Sequence, residues 1–526
     1  MTSKTLTGTT GNDILNAPGS VATLVQALEG ADTITLAGTN DVAQAGKGDD
    51  TINLALTGGS VNTVYGGEGK DSITLGTAVS VFSGYAQANT GNDVIDFNGR
   101  TVSAATVGGN AGNDTITATA NTTLSYLGGG QGNDLIDWSG AGSNTTVKGG
   151  KGKDTISIVG AAGTSTILGN EGFDTISATA LTANTTVYIG GGKGGDSISL
   201  AAQLGTVVGG YLADTITARG AFGGGLIYGD KLNESVGGDG TDSLADGNDL
   251  MSFTAGILAE GTTIYGAGGN DTVKFINGSA AASALLVDTG KGADFIGHST
   301  TNFFSIVGHG TLNGGSGHDT IKFNQALSGI ILGGAGADSI FGVAVTGGGS
   351  IDGGAGNDTL NFTNGTTFGS QLTLMTTIDA GAGSDSIILA TYTAITSTRA
   401  GVISGSFMGI VDGVSAGDVI RLTNNQAVAA TANWLGQTQI YVGANAAGVT
   451  SAVASGNGSI AVYASGNDMV VGIMAGLNQS TWAKFVVKDG AGHIKTTLTA
   501  QDVTMSSSNF GFSVGSTNNN VGLTFA

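Results

Sequence analysis

The sequence predicts an all-β protein made by stacking one turn-plus-strand unit many times, and three observations predict it. A line of the form Gly-Gly-x-Gly-x-Asp-x-apolar recurs through most of the chain, as in Gly66-Gly67-Glu68-Gly69-Lys70-Asp71-Ser72-Ile73 and Gly353-Gly354-Ala355-Gly356-Asn357-Asp358-Thr359-Leu360. Its aspartates fall mostly 18 to 23 residues apart, a period that marks a repeat array. With 96 Gly, one Pro and no Cys in 526 residues, the composition disfavours helix and leaves the turns to Gly, Asn and Asp.

Each unit opens on its glycines, which allow the backbone positive φ at a tight turn. The aspartate follows, and the residue two places later is apolar throughout, from Leu15, Ile34 and Ile52 to Ile340, Leu360 and Ile387. Thr or Ser usually lies between, as at Thr33, Thr115 and Thr320, giving the alternation of a strand with one wet face. The segment before the next turn has its own pattern, seen in Asn121-Thr122-Thr123-Leu124 and Asn144-Thr145-Thr146-Val147.

A net charge of -21 with only 18 Lys and Arg excludes the basic footprint that nucleic acid or an anionic membrane requires. Cations are the natural partners, and without Cys any bound ion must be held by oxygen. The Met1–Gly8 segment has no apolar stretch of signal-peptide length, and no run of 18 or more apolar residues occurs in the sequence.

On these motifs the chain resembles the RTX (repeats-in-toxin) family, over roughly residues 8 to 390. The resemblance implies a parallel β-roll or β-solenoid whose Gly-rich turns bind calcium. Here the motif occurs once per coil of about 18–20 residues, whereas the family sets two nonapeptides per coil, so the expectation is a roll with calcium turns mainly on one edge and an Asn/Thr/Gly edge opposite. The expected ligands are Asp13, Asp50, Asp71, Asp93, Asp114, Asp134, Asp154, Asp174, Asp196, Asp242, Asp271, Asp294, Asp319, Asp338, Asp358 and Asp385. Asp32 and Asp214 are discounted, because Ala27-Leu28-Glu29 lacks the first two glycines and Leu212 replaces the fourth.

The chemistry agrees with calcium. A carboxylate backed by carbonyls of its own and the neighbouring coil supplies the hard oxygens that Ca²⁺ accepts in flexible geometry, where Mg²⁺ demands stricter octahedral placement. Without an ion, aspartates about 4.8 Å apart, the spacing of neighbouring strands, repel one another. Folding and calcium binding are then linked. A metal-free alternative is that Asn and Asp simply end strands, since both residues form turns. The period breaks at about 217–265, where Asp230, Glu234, Asp239, Asp242, Asp246 and Asp249 form the densest acid cluster, read as an inserted acidic loop or a coil with an extra cation site.

Catalytic signals are weak. No His-Glu-x-x-His occurs, and His298, His309, His318 and His493 lie in turns or loops. Gly413-Val414-Ser415-Ala416-Gly417 and Gly511-Phe512-Ser513-Val514-Gly515 match a nucleophile elbow, but in so Gly-rich a chain such matches arise by chance, and neither has the strand-and-helix context. The chain is read as a non-enzyme.

Residues 391 to 526 carry longer alternating segments such as Gln439-Ile440-Tyr441-Val442 and read as a C-terminal β domain with a capping, secretion or assembly role. Gly417-Asp418-Val419-Ile420-Arg421-Leu422 is similar to strand pairs in the C-terminal domain of type I secreted RTX proteins. The reading is a calcium-dependent extracellular structural protein that self-assembles into a surface layer or matrix, as a homo-oligomer or lattice that meets a cell-surface polysaccharide. The rivals are an adhesin or carbohydrate-binding protein and a secreted hydrolase or polysaccharide-modifying enzyme.

Overall fold

A computed structural model describes residues 4–391 apart from short connecting segments, the longest being 231–245 and 363–376, and beyond 391 only strands between 407 and 524. No helix occurs among the described residues, and none is therefore long and apolar enough to cross a membrane. The chain divides into two units, Met1–Ile257 with Thr262–Gly268, and Leu258–Gly261 with Gly269–Ala526.

In the first unit every coil contributes one strand to each of two parallel sheets. One sheet holds the strands that run into the glycine turn, such as Val42–Lys47, Thr63–Glu68 and Tyr85–Thr90. The other holds the strands that leave it, such as Thr51–Leu54, Ser72–Leu75 and Val94–Asp96. Stacking is in register, so Val64 lies between Ala43 and Ala86, and Ile73 between Ile52 and Ile95. The coils are thus all-β and parallel, as the repeat predicts.

This register produces the core. The apolar residues two places after the aspartates form one buried column, with Ile34, Ile52, Ile73 and Ile95 at 0% exposure, and a second column two places on includes Leu36, Leu54, Leu75 and Phe97. Where coils are wider, aromatic rings fill the added space, as with Phe82 and Phe97, whose centroids lie 6.2 Å apart. A short third sheet of Gly59–Ser60, Val81–Phe82, Val102–Ser103 and Thr122–Thr123 lines that widening.

The second unit repeats the plan. Thr311–Ser316, Ile330–Ala335 and Ser350–Ala355 stack in one sheet, and Thr320–Leu327, Ser339–Thr346 and Thr359–Phe362 in the other. Parallel stacking continues past 391, since Ser386–Thr391 pairs with Val419–Asn424. Antiparallel pairing then enters, with Asn520–Thr524 against Val419–Asn424 and with Asp468–Met474 between Ile460–Ser465 and Trp482–Val487.

Candidate metal centre

The glycines of the motif are required for three separate reasons. At the second and fourth positions the backbone is left-handed, with φ of +122° at Gly67 and +132° at Gly69. A Cβ there would also collide with the carbonyl oxygen of the equivalent residue one coil earlier, Gly46 for Gly67 and Gly48 for Gly69. At the first position a side chain would collide with the carboxylate that the coil folds back over itself, Asp71 over Gly66 and Asp134 over Gly129. The first glycine therefore makes room for the aspartate, and the other two let turn stack on turn.

The aspartates form one continuous hydrogen-bonded ladder in each unit. The Asp13 amide donates to Oδ1 of Asp32 at 2.7 Å, Asp114 to Asp134 at 2.8 Å, Asp134 to Asp154 at 2.9 Å and Asp196 to Asp214 at 2.7 Å. In the second unit Asp294 donates to Asp319, Asp319 to Asp338, Asp338 to Asp358 and Asp358 to Asp385, each at 2.8 Å. These side chains are almost wholly enclosed, with Asp134 at 2% and Asp154 at 0% exposure.

Each carboxylate in the ladder thus has one oxygen held by an amide. Its other oxygen, Oδ2, is buried and makes no hydrogen bond among the described residues at Asp32, Asp50, Asp71, Asp93, Asp114, Asp134, Asp154, Asp174, Asp196 and Asp214, and again at Asp319, Asp338 and Asp358. At several turns a carbonyl oxygen of the next coil lies close by. The place a Cβ would take on Gly66 is shared by Asp71 Oδ2 and, at 2.6 Å, the carbonyl of Ala88 in the next coil. A buried carboxylate oxygen without a donor is compensated by a proton or by a cation.

The electrostatics point the same way. Burial pushes the carboxyls of Asp71, Asp114 and Asp174 up to about 7 and those of Asp50, Asp134 and Asp196 up to about 6, against the downward pull of the amide that each accepts. Neighbouring carboxylates raise them further, Asp134 and Asp93 acting on Asp114. Asp41 shows what a buried aspartate needing no ion looks like. Its Oδ1 accepts the Thr23 amide at 2.8 Å and its Oδ2 the Gly38 amide at 3.0 Å, so neither oxygen is orphaned. The donors of the ladder are all oxygen, the type that a hard divalent cation of the calcium class accepts, but no three acidic or histidine side chains come together among the described residues, so such an ion would have to draw on backbone carbonyls. Asp71 Oδ2 and the Ala88 carbonyl are the kind of pair that would hold it.

Several expected sites sit differently from their motif reading. Asp32 and Asp214, discounted from sequence, are full rungs, and Leu28 and Leu212 take the turn conformation at φ of 84° and 71° despite their side chains. Asp242 lies outside the described residues, and the alignment on Asp242 and Leu244 gives way to Asp249 and Met251. The Asp214 amide donates to Asp249 Oδ1 at 2.8 Å, and Met251 pairs with Ile216. Asp13 is the exception among the rungs, because its Oδ2 accepts the Thr9 amide at 2.6 Å and the Thr9 hydroxyl at 2.9 Å.

A second ladder was not expected. Where the residue before the aspartate is Asn, its side chain accepts the amide of the counterpart one coil later, as Asn92 does from Asn113 at 2.8 Å, Asn113 from Asn133 at 2.7 Å and Asn133 from Lys153 at 2.7 Å. His318 does the same through Nδ1, which accepts the Ala337 amide at 2.8 Å. The recurrence of Asn at this position was the available signal. On the opposite corner, Asp41, Asn62, Thr145 and Ser165 are buried, with the Asp41 amide bound to Asn62 Oδ1 at 3.0 Å.

No protein-family model matches the chain, and no curated protein matches it at a significant level. The parallel solenoid with coils of about 20 residues fits an RTX-type β-roll fold.

Proposed function

We propose that the chain is a calcium-dependent extracellular structural protein that assembles into a surface layer or matrix. The observation that carries this reading is the row of buried Oδ2 atoms without a hydrogen-bond donor from Asp32 to Asp214. Calcium supplies the positive charge that these turns lack, and the same ions bridge acidic surfaces between copies once the net charge of -21 is lowered. The repeating coils occupy most of the described chain, which suits a scaffold. Circular dichroism in EGTA and in millimolar CaCl₂, with electron microscopy of the same samples, tests the reading. A β-rich fold and ordered sheets or filaments are expected only with calcium, and an unchanged signal with no bound calcium refutes it.

A glycan-binding role is favoured by one feature of the first unit. A shallow groove crosses the outer face of the turn-entering strands, lined by Gln26, Gln44, Lys47, Glu68, Asn89 and Thr90. The Gln26 amide donates to Gln44 Oε1 at 3.1 Å, and Tyr65 and Tyr85 stand 5.8 Å apart on the same face. Aromatic rings beside amides suit sugar faces and hydroxyls. A monodisperse monomer in calcium that retains a defined glycan would favour this role over assembly.

A further inference from the structure

Tyrosine is confined to one face of the first unit. All seven tyrosines of residues 1–268 lie in the sheet that runs into the glycine turns, while Phe82, Phe97, Trp138 and Phe253 are buried in the core. Strand register puts six of them in two adjoining columns. Tyr85, Tyr126 and Tyr188 share one column with Thr106, Thr146 and Thr166. Tyr65, Tyr228 and Tyr265 share the column two residues further along each strand. Both columns face outward, and Tyr85 is 37% exposed.

Two glycines beside these rings make no turn. Gly128 and Gly190 precede the motif glycines and lack the left-handed φ. A Cβ on Gly128 would stand 2.6 Å from the Tyr126 hydroxyl and 2.7 Å from its ring, and one on Gly190 would stand 3.3 Å from the Tyr188 ring. Each ring therefore lies down along its own strand, over a place that Lys148 and Leu168 fill with side chains in the coils between. A ring held against the sheet is oriented before a ligand arrives, which lowers the entropy cost of binding.

The charges of the turn-side column cancel. Lys47 pairs with Glu68 at 3.4 Å, and Glu171 with Lys193 at 3.1 Å and Lys151 at 3.9 Å. On a chain of net charge -21, a face whose lysines are matched by glutamates offers an acidic glycan no net attraction, and a neutral one meets no penalty. Successive coils are about 4.8 Å apart, close to the rise of one sugar residue in an extended β-linked chain.

We propose that this face binds a neutral, extended β-linked polysaccharide running along the stack, with Tyr126 and Tyr188 as platforms for its sugar rings. The inference rests on the glycan-binding reading of the groove, which it extends along the first unit and narrows to one class of glycan.

Biolayer interferometry tests it, with the full chain captured sparsely on the sensor in millimolar calcium and soluble hydroxyethylcellulose or alginate as the analyte. The wild type should bind hydroxyethylcellulose and not alginate. Tyr126→Ala and Tyr188→Ala should each weaken binding roughly fivefold through the loss of one aromatic contact, while Tyr126→Phe and, on the other sheet, Thr155→Ala should leave it unchanged. If circular dichroism shows that Tyr126→Ala has lost the fold, Gly128→Thr decides, since a β-branched residue suits a strand but lifts the retained ring off the sheet and should weaken binding as much. Binding of alginate alone, or equal binding of hydroxyethylcellulose by the wild type and both tyrosine-to-alanine variants, overturns the proposal and leaves the glycan reading standing. Tyrosine variants that bind as the wild type does but no longer form sheets or filaments assign the face to contacts between copies, and overturn it too. A chain that binds neither polysaccharide nor any member of a mixed glycan array overturns both readings together.

Discussion

The amide of Asp134 donates to Oδ1 of Asp154 at 2.9 Å, so the carboxylate of one coil completes the backbone of the coil before it. Removing a ladder side chain therefore damages two coils. Asp154→Ala strands the Asp134 amide in a closed interior, and a buried unsatisfied donor costs about 1–3 kcal/mol. Asp13→Ala should cost less, because the Asp13 carboxylate serves only Thr9 of its own turn. Denaturant unfolding in saturating calcium measures the difference, and equal losses would contradict the ladder.

Asp71→Asn separates charge from shape. The amide oxygen can still accept the Asp50 N–H, bound at 3.0 Å in the native chain, and its NH₂ group places a neutral donor where the buried Oδ2 has none. In EGTA at pH 8 this variant should be more stable than the wild type, by about 1–2 kcal/mol from one added buried hydrogen bond and one deleted buried charge. In calcium the order should reverse, with a weaker calcium response read as a higher midpoint in a circular dichroism titration.

The calcium-free chain should respond to pH in the direction opposite to ordinary acid denaturation. Burial raises ladder carboxyls from 3.8 to about 6 at Asp134 and about 7 at Asp114. A carboxyl whose folded value is the higher one binds its proton more readily in the fold. Its stabilising contribution is complete below the unfolded value and is lost as pH rises through about 6 to 7. In EGTA, β-structure should therefore grow as pH falls from 8 towards 5, and protons and calcium should compete, with the calcium midpoint rising over the same window. A pH-independent apo spectrum would refute this.

Alanine at glycine positions should rank by what the new Cβ meets. Gly132→Ala forces left-handed φ of +124° and collides with the Gly112 carbonyl, whereas Gly261→Ala has φ of +81° but open space around it. The second should cost about 1–2 kcal/mol of backbone strain alone, and the first clearly more. Thermal unfolding in calcium compares them.

His318 can be replaced without loss by the residue other coils use. Asn at this position offers an acceptor in the same place as His318 Nδ1, so His318→Asn should change stability by less than about 0.5 kcal/mol, while His318→Leu should cost about 0.5–1 kcal/mol through loss of the exposed hydrogen bond from the Ala337 amide. Equal effects would show that the ring serves some purpose other than accepting that bond.

The repeat, its strand alternation and its buried column at Ile34, Ile52 and Ile73 were legible because period-two patterning and glycine turns act locally. What escaped was set by stacking. The turn before Asp32 lacks the first two motif glycines, yet its rung is fixed by the Asp13 amide one coil away. Asp242 fits the spacing, but the rung goes to Asp249, whose following residue Leu250 falls in register with Thr215. The Asn column was visible as composition, but its purpose depends on amides of the next coil, which no single motif contains. Asp230 was noticed for charge, and only the register with Gly210 shows that it stands within a turn.

The two ladders run in opposite directions. The amide of Asp114 finds its acceptor on the following coil, at Asp134, while the amide of Asn133 finds its acceptor on the preceding one, at Asn113. Where Asn precedes the aspartate, no coil is finished by its own residues, and the junction is fastened from both sides. The smallest structure with all its turn amides satisfied is therefore a junction and not a coil, so the ends of a stack are inherently unfinished and every coil added moves that unfinished front outward by one step.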